Sequence, residues 1–167
     1  MKKIATLIAI GVVLLGAGIM YWLTEKEQVE QVQVAQVNDL PNMILLHSDG
    51  SRQNAKSLEG KNILIIYFTG CDHCQREATE ISNKLKAFEG YHLWFLTTDP
   101  FPSMDKFASD YKLVGYPNVH FAQIAFADVA TYFGSIPTPS VYIYSDAKRL
   151  VRAIKGETPI DGILMYL

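Results

Sequence analysis

The strongest constraint on the fold is an apolar run that leads almost directly into the only two cysteines of the chain. Six consecutive apolar residues, Ile63 to Phe68, are followed after two residues by Cys71-Asp72-His73-Cys74. A short continuous apolar run is typical of a strand buried on both faces. Beyond it, apolar residues recur at helical spacing and predict a helix to about Phe88, with its buried face formed by Cys74, Ala78, Ile81, Leu85 and Phe88.

The spacing of the two cysteines favours redox chemistry. A disulfide between Cys71 and Cys74 closes a very small ring, so it constrains little of the unfolded chain. The second thiol does lie within reach of a mixed disulfide formed at the first. An inert buried thiol pair and half of a metal site are the alternatives. We interpret the pair as a redox-active dithiol.

The predicted strand-to-helix junction assigns different roles to the two cysteines. Cys71 falls at or near the helix N-cap, where free N–H groups and the helix dipole stabilise a thiolate, so we expect it to be the nucleophile. Cys74 lies one turn on and faces the core, so we expect it to be the resolving thiol. A protonated His73 would stabilise the Cys71 thiolate, whereas Asp72 would oppose it.

The N-terminus predicts a single-pass membrane anchor. Residues 4–23 carry no charge and follow Lys2 and Lys3, and as a helix they would extend about 30 Å, enough to cross a bilayer. The positive-inside rule places the rest of the chain on the periplasmic side of a bacterial inner membrane. A cleaved signal peptide is the alternative. We therefore divide the chain into a transmembrane segment or signal sequence (1–23), a spacer (24–40) and one domain (41–167).

The net charge and the order of strands and helices further restrict the partners and the fold class of the protein. The net charge of −2 and the lack of a basic patch argue against nucleic acid as a partner. Strands and helices alternate, which predicts an α/β sandwich with a mixed central sheet. We expect strands at 43–47, 61–68, 91–97, 140–144 and 150–154, and helices at 71–88, 103–113, 124–133 and from 158 to the C-terminus.

The motif and its surroundings resemble a known group. The segment from Tyr67 to Glu77 is similar to the active-site segment of thioredoxin-fold proteins, and most of all to the membrane-anchored TlpA/ResA-type thiol-disulfide oxidoreductases within the AhpC/TSA-like redoxin superfamily. Asp49-Gly50 with Leu58 to Lys61, and Pro139 to Tyr144 with Gly156, resemble the beginning and end of that domain. The resemblance spans about residues 41–167 and implies a thioredoxin-like three-layer sandwich.

The resemblance also implies further site residues. Pro139, preceded by Thr138, matches the cis-proline of the group beside the substrate site, and Pro137 is the competing choice. Glu77, three residues after Cys74, matches a proton-carrying glutamate. Thr138, Asp72 and His73 are expected to border the bound substrate, a protein thiol or disulfide. We further expect a membrane electron donor or acceptor thiol protein and no cofactor, and the uncharged run at 4–23 predicts contact with the lipid bilayer.

Two departures from the group bear on the site. Gly70 replaces the tryptophan that usually precedes the first cysteine, which predicts a more open surface around Cys71. Ile65 occupies the position of the buried acid in thioredoxin itself, which leaves Glu77 as the candidate proton carrier.

Two other functions remain as alternatives. A thiol peroxidase of the redoxin superfamily has Pro-x-x-x-Thr-x-x-Cys, and neither cysteine fits that register. A copper- or zinc-binding protein would use Cys71, His73 and Cys74, with His47, His92 or His120 as further ligands. We expect a disulfide oxidoreductase, with the reductase direction favoured by the resemblance.

Overall fold

A computed structural model describes residues 15–22 and 39–167. The chain divides into two compact units, residues 1–35 and residues 36–167. In the first unit, residues 15–22 are helical, and most of the predicted membrane span at 4–23 lies outside the described residues. Within the described part of the chain, no helix combines the length and apolarity needed to span a bilayer.

The second unit is built on a seven-stranded mixed sheet. Its order is β2-β1-β5-β4-β3-β6-β7. The three central strands, β5, β4 and β3, run parallel, and every other pairing is antiparallel. The strands are β1 (Ile44–Leu46), β2 (Arg52–Asn54), β3 (Lys61–Ile66), β4 (Tyr91–Thr97), β5 (Val119–Gln123), β6 (Ser140–Tyr144) and β7 (Leu150–Lys155).

Helices cover both faces of this sheet. The α-helices are α1 (Asp72–Asn83), α2 (Phe101–Asp110), α3 (Phe126–Phe133) and α4 (Ile160–Leu164), and 3₁₀ turns lie at Ala55–Ser57 and Leu85–Phe88. One core cluster contains buried residues of α1, α2 and α4, and the other contains Phe133 of α3 together with residues from the segment 40–58. The expected three-layer sandwich with a mixed sheet is confirmed.

The apolar run in β3 is buried on both faces, as its composition predicts. Ile63 and Ile65 belong to the cluster under α1, whereas Leu64 and Ile66 belong to the opposite cluster. The same alternation continues in β4 and β6, because successive side chains of a strand point to opposite sides. Two hydrophobic layers therefore fix β3 at the centre of the domain, and the residues that follow it are anchored by this strand.

The structure adds two strands that the sequence did not predict and changes the bounds of the four predicted helices. Strand β2 was missed because it consists of three polar residues, Arg52–Asn54. Strand β5 has no counterpart in the sequence prediction, because His120 and Gln123 interrupt its apolar pattern and most of its residues are only half-buried. The helix predicted over 71–88 begins at Asp72 and ends at Asn83, where Lys84 leaves helical geometry at φ −123° and ψ 25°. The helix predicted at 103–113 spans Phe101–Asp110 instead. The helices predicted at 124–133 and from 158 to the C-terminus span Phe126–Phe133 and Ile160–Leu164.

The missed helix end has a simple physical reason. Leu85 and Phe88 are buried in the same cluster as the apolar face of α1. They lie in a 3₁₀ turn that continues the buried stripe after the α-helix has stopped. Hydrophobic periodicity therefore persists across the break and conceals it.

Candidate active site

Cys71 is the N-cap of α1, directly beyond the carboxyl end of β3. Its backbone is extended, with φ −92° and ψ 114°. The carbonyl of Cys71 accepts the first helical hydrogen bond, from Gln75 N–H at 3.0 Å. Its sulfur accepts a hydrogen bond from Cys74 N–H at 3.3 Å, in the place where a serine or aspartate side chain commonly caps a helix. The cap therefore directs a backbone N–H group at the thiol sulfur.

The two thiols differ in acidity because their surroundings differ. Partial burial acts to raise the pKa of Cys71, but hydrogen bonds from the Cys74 thiol and N–H, from Thr138 and from the His73 backbone outweigh it, and the net pKa is lowered. Cys74 is 2% exposed, and burial together with its hydrogen bond to Cys71 raises its pKa to about 12. At neutral pH, Cys71 is therefore the thiol that ionises more readily.

The loop before β6 borders the Cys71 sulfur. The carbonyl oxygen of Thr138 lies 3.6 Å from Cys71 Sγ, and the Thr138 hydroxyl lies 3.9 Å from the same atom. Among the described residues, the Thr138–Pro139 peptide bond is cis and the Ile136–Pro137 bond is not. Pro139 rather than Pro137 is therefore the cis-proline, as expected from the sequence.

A hydrogen-bonded clamp holds the segment between β3 and Cys71. One carboxylate oxygen of Asp99 accepts hydrogen bonds from the backbone N–H and the hydroxyl of Thr69, both at 2.7 Å. The Thr69 carbonyl accepts from the Gln75 side chain at 3.0 Å, and the Asp99 carbonyl accepts from Gln123 at 2.9 Å. The ends of β4 and β5 are thereby joined to the residues that present Cys71.

Gly70 leaves the approach to this segment open. Apart from its chain neighbours Thr69 and Cys71, no residue lies within 4 Å of the position that a Cβ atom would take at Gly70. A larger side chain would therefore project into free space beside Cys71. This arrangement agrees with the open surface expected where the related group has tryptophan.

The side chain of His73 contacts Glu157, which lies in the loop after β7. His73 Nδ1 lies within hydrogen-bond distance of Glu157 Oε2, and the other carboxylate oxygen accepts from Arg76 Nε at 2.7 Å. Arg76 Nη2 lies 2.8 Å from Glu157 Oε2 and 2.7 Å from His73 Nδ1. Hydrogen bonds from Arg76 and then His73 lower the pKa of Glu157 to about 2.

Glu77 lies on the buried face of α1, one turn after Cys74, and is 2% exposed. Neither of its carboxyl oxygens has a hydrogen-bond partner among the described residues. Burial raises its pKa to about 8, while the nearby backbone of Thr158 acts in the opposite direction. A pocket of about 220 Å³ adjoins the carboxyl, and it is lined by Glu77, Glu80, Glu157, Thr158 and Pro159.

The structure thus brings together Cys71, Cys74, Thr138 and Pro139, with Glu77 one helical turn away on the buried side. Asp72 is exposed in the first turn of α1. Arg76, Asp99 and Glu157 were missed from the sequence. Their roles depend on contacts between residues 30 to 84 positions apart, so no local pattern could indicate them.

The other three histidines do not join the cysteines. His92 Nδ1 lies 3.2 Å from His120 Nε2 at the amino ends of β4 and β5, whereas Cys71 follows the carboxyl end of the parallel strand β3. His47 packs edge-on against Trp94. Among residues 15–22 and 39–167, no group of three or more histidine, cysteine, aspartate or glutamate side chains is arranged to hold a metal ion.

The sequence profile of the AhpC/TSA family matches residues 37–153, which include the whole of β1 to β6 and both cysteines. The chain belongs to the AhpC/TSA family. None of the curated proteins matches its sequence.

Solved structures share the fold of this family member. DsbF of Mycobacterium tuberculosis is 19% identical, with a TM-score of 0.60 over 75% of this chain and 92% of that one. Copper-bound ScoI of Arabidopsis thaliana is 15% identical, with a TM-score of 0.58 over 74% and 94%. The bacterioferritin comigratory protein of Xanthomonas campestris, described for alkyl peroxide reduction, is 16% identical, with a TM-score of 0.59 over 78% and 91%. At these identities the likeness establishes the thioredoxin-like fold.

Replacing Asp99 with alanine tests the clamp. Asp99→Ala leaves the half-buried Thr69 N–H and hydroxyl without their acceptor, so we expect the free energy of unfolding to fall by about 1–3 kcal/mol. Urea denaturation monitored by circular dichroism measures the change.

The matched control is Asp110→Ala, which removes an exposed carboxylate paired with Lys106. A surface pair of this kind contributes at most about 0.5 kcal/mol. Equal effects of the two alanine variants would show that the Asp99 clamp does not stabilise the segment before Cys71.

The raised pKa of Glu77 predicts how stability changes with pH. The folded protein holds the Glu77 proton up to pH about 8, whereas the ordinary value for this carboxyl is 4.5. The folded state therefore binds more protons in this window, and its stability falls as pH rises from 5 to 8. In Glu77→Gln this loss is absent, so its stability relative to wild type should rise by up to about 1.4 kcal/mol per pH unit.

Urea denaturation at intervals between pH 5 and 8 measures this difference. Glu89→Gln serves as the control, because the Glu89 side chain is exposed to water and its replacement should leave the pH dependence at the wild-type slope. Parallel pH profiles for wild type and Glu77→Gln would contradict the assignment of a buried, protonated Glu77.

Proposed function

We propose that this AhpC/TSA family member is a membrane-tethered thiol-disulfide oxidoreductase that exchanges disulfides with exported protein thiols. The observation that carries the proposal is the unequal pair of thiols. Cys71 is partly exposed, lies at a helix N-cap and has a lowered pKa, whereas Cys74 is buried and has a raised one. Such a pair suits an attacking thiol and a resolving thiol.

The proposed reaction proceeds in two exchanges. The Cys71 thiolate attacks one sulfur of a substrate disulfide, forming a mixed disulfide and releasing the other substrate sulfur as a thiolate, which takes up a proton. Cys74 then loses its proton and attacks Cys71 Sγ, which breaks the mixed disulfide and releases the second substrate thiol. Two electrons pass from the enzyme dithiol to the substrate, and the enzyme is left with a Cys71–Cys74 disulfide.

Glu77 is the proposed proton carrier for Cys74. It lies one turn further along the same buried helix face, and a pKa of about 8 allows it both to accept and to donate a proton near neutral pH. The adjoining pocket gives the carboxyl a route for exchanging that proton at the surface. Burial of Cys74 makes such a carrier necessary, because its own thiol ionises poorly.

Residues around Cys71 form the proposed substrate platform. The Thr138 carbonyl, next to Pro139, lies against the sulfur, and Asp72 and His73 follow Cys71 in the first turn of α1, where we propose that they contact the bound substrate. The open space beside Gly70 gives a polypeptide access to Cys71. An extended segment carrying a cysteine suits such a surface.

We favour the reductase direction of electron flow. A histidine between the cysteines would favour an oxidant if its positive charge acted on the Cys71 thiolate. Here the His73 ring contacts the Glu157 carboxylate instead. The negative charge of Glu157 offsets that effect and supports a reducing dithiol.

The sequence supports the proposed location. The uncharged residues 4–23 after Lys2 and Lys3 would anchor the chain in a bacterial inner membrane, with the catalytic domain on the periplasmic side. A dithiol in that oxidising compartment has to be kept reduced by a partner. We therefore propose a membrane-associated thiol protein as the electron donor.

A Cys74→Ser variant tests the proposed activity. Without the resolving thiol, the mixed disulfide on Cys71 cannot be released, so we expect covalent adducts with exported proteins that disappear on treatment with a reductant. Non-reducing gel electrophoresis and mass spectrometry of cells expressing the variant detect them. Cys71→Ser is the matched control and should form none.

Two measurements on the wild-type protein complete this test. Thiol alkylation of the wild-type protein should find Cys71 and Cys74 mostly reduced, and a mostly oxidised pair would reverse the proposed direction. Rapid consumption of alkyl peroxide by the purified, reduced protein without any protein adducts would replace the proposal with peroxidase activity.

The Glu77→Gln variant tests the proton carrier. A general acid–base group of this kind contributes on the order of 10²-fold, so we expect resolution of the mixed disulfide to slow by that factor. The initial attack by Cys71 should keep its rate, because that step does not involve the Cys74 proton. Stopped-flow measurement with a model disulfide peptide separates the two steps.

Glu80→Gln is the control from the same pocket. Glu80 accepts a hydrogen bond from the backbone of Ile160 at 2.8 Å, and its replacement should leave both rates within about twofold, as expected for an exposed group. Unchanged resolution in Glu77→Gln between pH 5 and 9 would exclude Glu77 as the carrier.

A further inference from the structure

Glu157 makes the most extensive set of charged contacts near the cysteines. Its two carboxylate oxygens accept hydrogen bonds from Arg76 at 2.7 and 2.8 Å, a bidentate arrangement, and one of them also contacts His73 Nδ1. Glu157 lies in the loop after β7, whereas both partners lie on α1. The carboxylate therefore connects a distant loop to the helix that begins at Cys71.

The side chains of Arg76 and His73 both contact this carboxylate. His73 is two residues after Cys71 and Arg76 is five, so both lie in the first turns of the helix that Cys71 caps. The charge of Arg76 interacts with that of the Cys71 thiolate. Without Glu157, Arg76 would carry an uncompensated positive charge near the thiolate.

We propose that Glu157 is a positioning residue that limits the reactivity of Cys71 by holding Arg76 and His73 in a charge-neutralising cluster. The inference rests on the proposed function, because it assigns Glu157 the tuning of the same dithiol. Removing the carboxylate increases the positive charge near Cys71, stabilises its thiolate and makes the protein a stronger oxidant. Glu157 thus keeps the dithiol in a reducing range.

The other acidic groups near Arg76 and His73 do not neutralise their charge in this way. Asp72, in the first turn of α1, interacts with Arg76 but makes no hydrogen bond or ion pair with it. Glu80 lines the same pocket as Glu157, but its carboxylate accepts a hydrogen bond from the backbone N–H of Ile160. Burial keeps the pKa of Glu77 near 8, so this carboxyl is mostly uncharged at neutral pH. Among the described residues, Glu157 is the carboxylate paired with Arg76 and His73.

The rate of Cys71 alkylation measures the proposed effect directly. In the reduced full-length protein, iodoacetamide reacts with the thiolate, and mass spectrometry follows Cys71 by itself. At pH 6 we expect Glu157→Gln to react about threefold faster than wild type, the size of a charge interaction across several ångström near the surface. The equilibrium with glutathione should shift toward the dithiol by a similar factor.

A matched variant separates this effect from a general loss of charge or stability. Asp161→Asn also removes one negative charge and one ion pair, because Asp161 of α4 pairs with Lys84 at the carboxyl end of α1, at 2.7 Å. We expect its Cys71 alkylation rate to equal that of wild type. If Asp161→Asn reacts as fast as Glu157→Gln, net charge rather than the cluster controls Cys71, and the proposal is overturned.

A double-mutant cycle with Arg76 tests the mechanism. Arg76→Gln leaves Glu157 uncompensated, so Cys71 should react about threefold more slowly at pH 6, by the same charge interaction. The double variant Glu157→Gln/Arg76→Gln should return close to the wild-type rate. A Glu157→Gln variant that unfolds more easily but alkylates at the wild-type rate would show that Glu157 only ties the loop to the helix.

The design keeps this inference separate from the proposed function. Alkylation and the glutathione equilibrium require no protein substrate, so they report on Glu157 even if Cys74→Ser captures nothing. Conversely, protein adducts on Cys74→Ser combined with an unchanged alkylation rate in Glu157→Gln would preserve the oxidoreductase and exclude the role of Glu157.

Discussion

The hydrogen bond from Cys74 N–H to Cys71 Sγ is the interaction on which the site depends. The same contact that begins the helix also directs a backbone dipole at the attacking sulfur. Strand β3 is buried on both faces and therefore fixes the direction in which the chain approaches Cys71. The Asp99 clamp holds the residues between β3 and Cys71. The acidity of the Cys71 thiol therefore depends on the hydrogen bonds that begin the helix.

Burial has opposite consequences along the length of α1. At its exposed start, hydrogen bonds outweigh desolvation and the pKa of Cys71 falls. One turn further, Cys74 and Glu77 face the core, and desolvation raises the pKa of both. A single amphipathic helix therefore supplies an acidic thiol, a weakly acidic thiol and a carboxyl that titrates near neutral pH. An apolar residue in place of Glu77 could not carry a proton.

Much of this arrangement could be predicted from the sequence because it is local. The apolar run before Cys71, the helix that starts after it and the Thr138–Pro139 pair all lie within short segments, and each is found as predicted except that the helix ends at Asn83. Strand β5 was missed because His120 and Gln123 break its apolar pattern at positions that are only half-buried. The neighbours of a strand, rather than its own residues, determine such an element.

The charged contacts could not be predicted, and they change how the motif is interpreted. Read from the sequence alone, His73 lies between two cysteines and is a candidate to stabilise the thiolate. In the folded chain its ring contacts Glu157, which is 84 positions away in sequence, and Arg76 shares that carboxylate. The residues between the cysteines therefore do not set the reactivity of Cys71 by themselves. Under the proposed role of Glu157, positive charge on the first turns of α1 acts on the thiolate only to the extent that this carboxylate leaves it uncompensated.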